Sequence, residues 1–227
     1  MFLKRSYEKE IMDDFSITDS QIDIALNELK LVNRFLGGVS TSKTGFKMLF
    51  NSSNYETIKV LDIGSGSSDI FQRLINKLPN LKIFSIDRNK RICEVIKNES
   101  TAYPIFGDAI APPVKEESIS VVHASLFLHH FNKDEIKKII KSSLSIAEKG
   151  MIINDLRRSV WALIGIKTLI YLFSKSTMVK NDAPLSVKRG FIKSELINLL
   201  EELKITNYKI KRKWAFRWLI VIPRNYL

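Results

Sequence analysis

The chain has 227 residues, with 36 Lys+Arg against 24 Asp+Glu, hence a formal net charge of +12 and a pI near 9.7. Hydrophobic residues make up 45%, aromatic 10% and charged 26%, a globular composition that excludes a disordered or collagenous chain. A single cysteine, Cys93, excludes an internal disulfide framework and any multi-cysteine metal site, so no metal is expected.

The opening MFLKRSYEKEIMDDF lacks the apolar run of a secretory signal, and the longest apolar stretch, Val160 to Phe173, is interrupted by Lys167. It is shorter than the ~20 residues a spanning helix needs. The expectation is a cytoplasmic protein, with peripheral membrane contact as an alternative.

Residues 1–50 read as a helical N-terminal cap: Ile22, Leu26, Leu29, Val32, Phe35 and Leu36 recur at three-to-four spacing until Gly37-Gly38. From 51 to 227 the pattern changes to short apolar strands alternating with amphipathic helices. The strands are expected at Lys59–Ile63, Lys82–Ile86, Ala102–Phe106, Ile119–Ala124 and Met151–Ile153, with helices at Ser68–Leu78, Asn89–Lys97 and Lys133–Ala147. Alternation of this kind builds a parallel sheet covered on both faces.

After the fifth strand an insertion, 157–190, opens with the greasy segment Val160–Phe173 and ends in a polar turn at Asn181-Asp182-Ala183-Pro184. A helix at Ser194–Leu203 and two strands, Thr206–Ala215 and Trp218–Ile222, close the chain. The fold class is therefore α/β: a Rossmann-like doubly wound sheet of seven strands, with an N-terminal helical cap and a lid insertion before the last two strands. The helix at 160–173 is apolar nearly all round, so it is buried, roofs a greasy pocket or touches a membrane surface.

The sharpest local signal is Val60-Leu61-Asp62-Ile63-Gly64-Ser65-Gly66-Ser67-Ser68-Asp69, a buried strand running through a glycine turn into a helix. Asp69 stands where a dinucleotide turn carries its third glycine. Two carboxylates beside the turn, Asp62 and Asp69, would repel a pyrophosphate but suit a ligand bearing an ammonium and a sulfonium. Asp87 ends the second strand about 20 residues on, where a carboxylate accepts ribose hydroxyls. Gly107-Asp108-Ala109 ends the third strand and offers an acceptor to an exocyclic adenine amine.

The runs VLDIGSGSSD, FSIDRN, FGDA and SVVHASLFLHHF together resemble the class I S-adenosylmethionine-dependent methyltransferases, nearest to the menaquinone/ubiquinone-type C-methylases and related small-molecule enzymes. The resemblance covers about Lys59 to Asp155 and implies S-adenosylmethionine as cofactor and S-adenosylhomocysteine as product. It implies that Asp62, Gly64, Ser65 and Gly66 line the methionine end, that Asp87 and Arg88 flank ribose and adenine, and that Asp108 and Ala109 meet the adenine edge. His123, Ala124 and Ser125 fall near the sulfonium. The cap reading EIMDDF then LVNRFLGG resembles the opening of bacterial small-molecule methyltransferases. Arg34 is its candidate partner for the cofactor carboxylate, with plain surface exposure as the alternative.

For chemistry the candidates are His129, beside His130, and Asp155 at the end of the fifth strand, because a near-neutral imidazole is the natural general base for a hydroxyl acceptor. A packing role for the histidine pair is the alternative. The expected reaction is methylation, on oxygen or carbon, of an apolar small molecule such as a phenol, quinol or polyketide-like ring. Two other readings stand beside it: an RNA or protein methyltransferase guided by the basic surface at Lys209, Lys211, Arg212, Lys213, Arg217 and Arg224, and a cofactor-binding protein without turnover. Oligomeric state is not legible in the sequence.

Overall fold

The computed structural model describes residues 4–17, 20–50, 57–75 and 80–225. A mixed sheet of seven strands forms the centre: β1 (Ile58–Ile63), β2 (Leu81–Asp87), β3 (Tyr103–Phe106), β4 (Ile119–Ser125), β5 (Ala147–Leu156), β6 (Lys209–Lys213) and β7 (Arg217–Pro223), in the order β3-β2-β1-β4-β5-β7-β6. The first five are parallel, and β7 inserts antiparallel between β5 and β6. The strand order reverses between β1 and β4, and the carboxyl ends of those strands open the crevice where doubly wound sheets bind ligands.

The helices are α1 (Ser20–Phe35), α2 (Gly38–Leu49), α3 (Asp69–Leu74), α4 (Lys90–Glu99), α5 (Lys133–Ile146), α6 (Val160–Phe173), α7 (Thr177–Arg189) and α8 (Lys193–Glu202). Short 3-10 turns stand at Ile11–Asp13 and Leu128–His130. Two apolar layers sandwich the sheet. On one face Leu61, Ile63, Val122, Ala124 and Ile153 pack with Ile136, Ile140 and Leu144 of α5 and Leu196, Leu199 and Leu200 of α8. On the other, Val60, Val121, Ile152 and Leu219 meet Ile22 and Leu26 of α1, Phe46 of α2 and Phe71 of α3. The N-terminal helices thus share a core with the sheet, and Gly45 of α2 lies so close that an added Cβ would be 2.5 Å from Ile152. The proposed boundary after residue 50 falls at 51–56, outside the described residues. So does the end of the third helix, expected at Leu78.

Two expectations need correction here. The fifth strand is longer than its apolar triplet, running ten residues because β7 pairs with it from Gly150 to Leu156. The turn expected at Asn181–Pro184 lies inside α7 instead. Asp182, a turn former when exposed, is committed elsewhere: its carboxylate accepts from the backbone N–H groups of Ile11 (2.8 Å) and Met12 (3.0 Å). That side chain ties the N-terminal 3-10 turn to the insertion.

The basic C-terminal segment has a structural explanation. β6 is an edge strand, and Lys209, Lys211 and Arg212 are exposed on it, a charge pattern that blocks edge-to-edge pairing between molecules.

Candidate active site

A cavity of about 1450 Å³ opens at the carboxyl ends of β1, β2 and β4. It exceeds the roughly 300–1,000 Å³ of common small-molecule pockets, leaving room for two ligands side by side. Its walls come from α1, the β1–α3 turn, the ends of β2 and β4, the inner side of α6, α7 and the β6–β7 turn.

The β1–α3 turn needs its glycines. Gly64 and Gly66 hold φ of +60° and +54°, the left-handed region that penalises a Cβ. A Cβ on Gly64 would also sit 1.9 Å from the Phe127 ring. Both glycines and Ser65 line the cavity, and the Ser65 hydroxyl is buried without a partner.

Asp62 does not line the cavity. Strand alternation turns it, with Val60, to the α2–α3 face, where its Oδ1 lies 2.6 Å from His123 Nδ1. His123 Nε2 continues the network to the Ser42 hydroxyl at 2.8 Å, and the ring packs edge-on against Phe71. Asp62 and His123 are thus buried links between strands and helices, which corrects their placement at the cofactor. Asp69 takes the position expected of Asp62. It lines the cavity, its Oδ2 is buried and unpartnered, and burial pushes its carboxyl up to about 6.

Arg34 is corrected as well. It is exposed, lies over the Phe35 ring and does not line the cavity. A buried cation that does line it is Arg217 of β7, only 1% exposed. Its guanidinium donates to Leu36 O (2.7 Å), Asn154 Oδ1 (3.1 Å) and Asn33 Oδ1 (3.2 Å). The Asn33 amide donates in turn to Asp69 Oδ1 at 3.1 Å, so one asparagine sets a buried cation and a buried carboxylate beside each other. Burial lowers Arg217 to about 10, with Asp155 and Asp69 holding it up.

The remaining expected positions surround the same space. Asp87, Arg88, Asp108, Ala109 and Ser125 all line it. Burial pushes the Asp87 carboxyl up to about 6, although its Oδ1 accepts from Asn89 N at 2.9 Å. Arg88 is half-exposed, over the Phe15 ring and 3.9 Å from Asp108 Oδ2. The Ser125 hydroxyl, at the end of β4, is buried without a partner.

His129 lines the cavity, whereas Asp155 lies behind it, 1% exposed. The Asp155 carboxylate is 2.7 Å from His129 Nδ1 and accepts from the His129 backbone N–H at 3.3 Å. Burial alone would raise Asp155; the His129 ring outweighs it and holds the carboxyl below its ordinary value. Asp155, a candidate for the chemistry, therefore holds His129 in place and does not itself line the cavity.

The Nε2 atom of His129 has no hydrogen-bond partner; the nearest carboxylate oxygen is Glu10 Oε1 at 3.7 Å, itself unpartnered. His130 Nδ1 is held by Asp13 at 2.6 Å. Glu10, His129 and His130 present ligand-type atoms within 4.8 Å of one another, a set that could hold a cation. The Arg189 guanidinium already brings positive charge there, 2.7 Å from Asp13 and 3.7 Å from Glu10. Glu10 and Asp13 lie in the EIMDDF run, but no spacing joins them to Arg189 or to the histidine pair, so this cluster was not legible in the sequence.

Residues 60–150 match the family model described as a methyltransferase domain. No curated protein matches the sequence. Among solved structures, the plantazolicin methyltransferase BpumL, in complex with a triazolic desmethylPZN analog and SAH, is 13% identical with a TM-score of 0.61, over 92% of this chain and 95% of that one. The magnesium protoporphyrin IX methyltransferase ChlM of Synechocystis PCC 6803, with bound SAH, is 14% identical with a TM-score of 0.55, over 82% of each chain. A candidate O-methyltransferase of Nostoc punctiforme PCC 73102 is 16% identical with a TM-score of 0.56; 80% of this chain is covered but only 56% of that one. Residues 60–150 thus carry a methyltransferase domain, and the chain shares its fold with these solved methyltransferases. The matched domain says nothing of the acceptor.

Proposed function

We propose that the protein transfers the methyl group of S-adenosylmethionine to a hydroxyl on an apolar, ring-bearing small molecule. The observation that carries this reading is His129: an imidazole oriented by a buried carboxylate, with an unpartnered Nε2 on the wall of an apolar cavity. Four polar atoms along the same wall, Ser65 Oγ, Asp69 Oδ2, Ser125 Oγ and His129 Nε2, are buried and unpartnered, the state of groups that await a polar ligand.

In this assignment Asp69 faces the cofactor ammonium, Arg217 its carboxylate, Asp87 the ribose hydroxyls, and Asp108 with Ala109 the adenine edge. The bound cofactor supplies a sulfonium methyl, transferred in line with quenching of charge. His129 Nε2 accepts the proton that the acceptor hydroxyl gives up, and Asp155 stabilises the imidazolium that results. Leu29, Val32, Leu36, Ile166, Leu169 and Phe216 supply the water-excluding walls.

Two measurements test the reading. At ~100 times the dissociation constant, S-adenosylhomocysteine should stabilise by ~2.7 kcal/mol, a Tm rise of roughly 5–11 °C for this size; NAD should give none. In a methyl-transfer assay on phenols and quinols, His129→Gln should keep that rise and lose about 10²–10⁴-fold in kcat. Equal turnover by wild type and variant would remove the base from the mechanism. A full Tm rise with no turnover on any acceptor would favour the cofactor-binding protein instead.

A further inference from the structure

We infer that α6 and the apolar rim of the cavity form a docking face for an anionic lipid surface. This goes beyond the proposed reaction and does not depend on it.

The two sides of α6 differ in what they meet. Ala162, Ile166, Leu169 and Ile170 face inward and line the cavity. At 100° per residue, Trp161, Ile164, Thr168, Tyr171 and Leu172 fall together on the opposite side. That side is exposed: Trp161 73%, Tyr171 85% and Leu172 61%. An ordinary surface helix carries charged residues there. Here the outward side holds only Thr168 as a polar residue, with Lys167 at its flank.

The apolar exposure continues around the cavity mouth. Phe35 of α1, Phe173 of α6 and Trp214 of the β6–β7 turn are 63%, 74% and 72% exposed, and each also lines the cavity. The Trp214 indole N–H donates to Phe35 O at 3.3 Å, joining α1 to the turn. Bulky apolar and aromatic side chains on three separate elements therefore ring one opening. A rim of this kind, larger than the scattered apolar residues of an ordinary surface, marks a binding face.

Charge selects the occupant. Arg34, Lys167, Lys175 and Arg212 are exposed on α1, on α6, just beyond α6 and on β6, and the whole chain carries +12. An apolar side set among lysines and arginines, with Trp and Tyr at its ends, is the composition of a helix lying in a bilayer interface. No helix among the described residues is long and apolar enough to cross a membrane, so the contact is peripheral. An opening that faces the bilayer would admit an apolar molecule from the lipid phase without passage through water.

The test is co-sedimentation of the full chain with phosphatidylcholine vesicles and with vesicles that also contain phosphatidylglycerol, at physiological ionic strength. The wild type should sediment with the anionic vesicles and release on added salt. Trp161→Ser/Tyr171→Ser/Leu172→Ser should lose about tenfold or more of the partitioning. An unchanged S-adenosylhomocysteine Tm rise certifies that this variant folds and keeps its cofactor site, and a wild type lacking that rise would count against the proposed function only. Absence of wild-type sedimentation with either vesicle, or equal binding by wild type and variant, overturns the inference. So does light scattering that finds a dimer dissolved by the same three substitutions, which would make the face a contact between two copies.

Discussion

At Asp87 folding and ligand binding oppose each other. In the folded, ligand-free protein its carboxyl titrates near 6, against 3.8 for an exposed aspartate, because burial disfavours the charge. Its ionisation therefore opposes folding at pH 7.5, while the same charge is what the proposed contact with two ribose hydroxyls requires. Asp87→Asn is expected to raise the ligand-free Tm and to abolish the rise given by S-adenosylhomocysteine, both read in one thermal melt. For the wild type, cofactor affinity should fall as pH drops through about 6, measured by calorimetry. Gly64→Ala acts differently: it combines a positive φ with a contact at 1.9 Å, so it should lower Tm and weaken cofactor binding together. Arg34 shows how a residue is misread. The buried side of α1 runs through Ile22, Ala25, Leu26 and Asn33, so helical phase points Asn33 inward and turns Arg34 away by about 100°. That signal was present in the sequence; the attraction of a cation for a carboxylate hid it.

Among the elements, the insertion is the one whose local chemistry misleads. Asn181-Asp182-Ala183-Pro184 has turn composition, yet α7 continues through it because Asp182 receives two N–H groups from the N-terminal segment. Asp182→Ala leaves those two donors without their acceptor, a cost of about 1–3 kcal/mol if they stay buried. The expected result is a Tm lower by roughly 2–12 °C and faster amide exchange at Ile11 and Met12. Since Glu10 and Asp13 border His129 and His130, the same variant should lower turnover more than cofactor affinity. By contrast β1 to β4 and the helices between them were legible from periodicity, since each strand is a short apolar run and each helix an amphipathic one.

At the scale of the whole molecule, two sets of buried and half-buried carboxylates among the described residues carry opposite pH signatures. Asp69 and Asp87 are raised by burial to about 6, and Glu10 and Asp62 are raised as well. Groups of this kind favour the folded state at low pH and lose that contribution as pH rises through the folded value. Asp155, paired with His129, and Asp13, paired with His130 and Arg189, are lowered, and their contribution is lost as pH falls below the ordinary carboxylate range. Ligand-free Tm should therefore decline between about pH 5 and pH 7, and Asp69→Asn/Asp87→Asn should flatten that decline in melts across the range.

The sequence by itself determined the α/β alternation, the glycine turn and the acidic residues at the ends of β2 and β3, because each depends on neighbours within one strand–turn–helix unit. Arg217 read as one more charge in a basic run, since nothing local says that β7 inserts between β5 and β6 and is buried on both faces. The joining of Asn33 to Arg217, of Glu10 to His129 and Arg189, and of the inner side of α6 to the cavity was decided by the tertiary structure alone. Such contacts are fixed by strand order and helix packing, which bring together groups from opposite ends of the chain and leave no periodic trace in it.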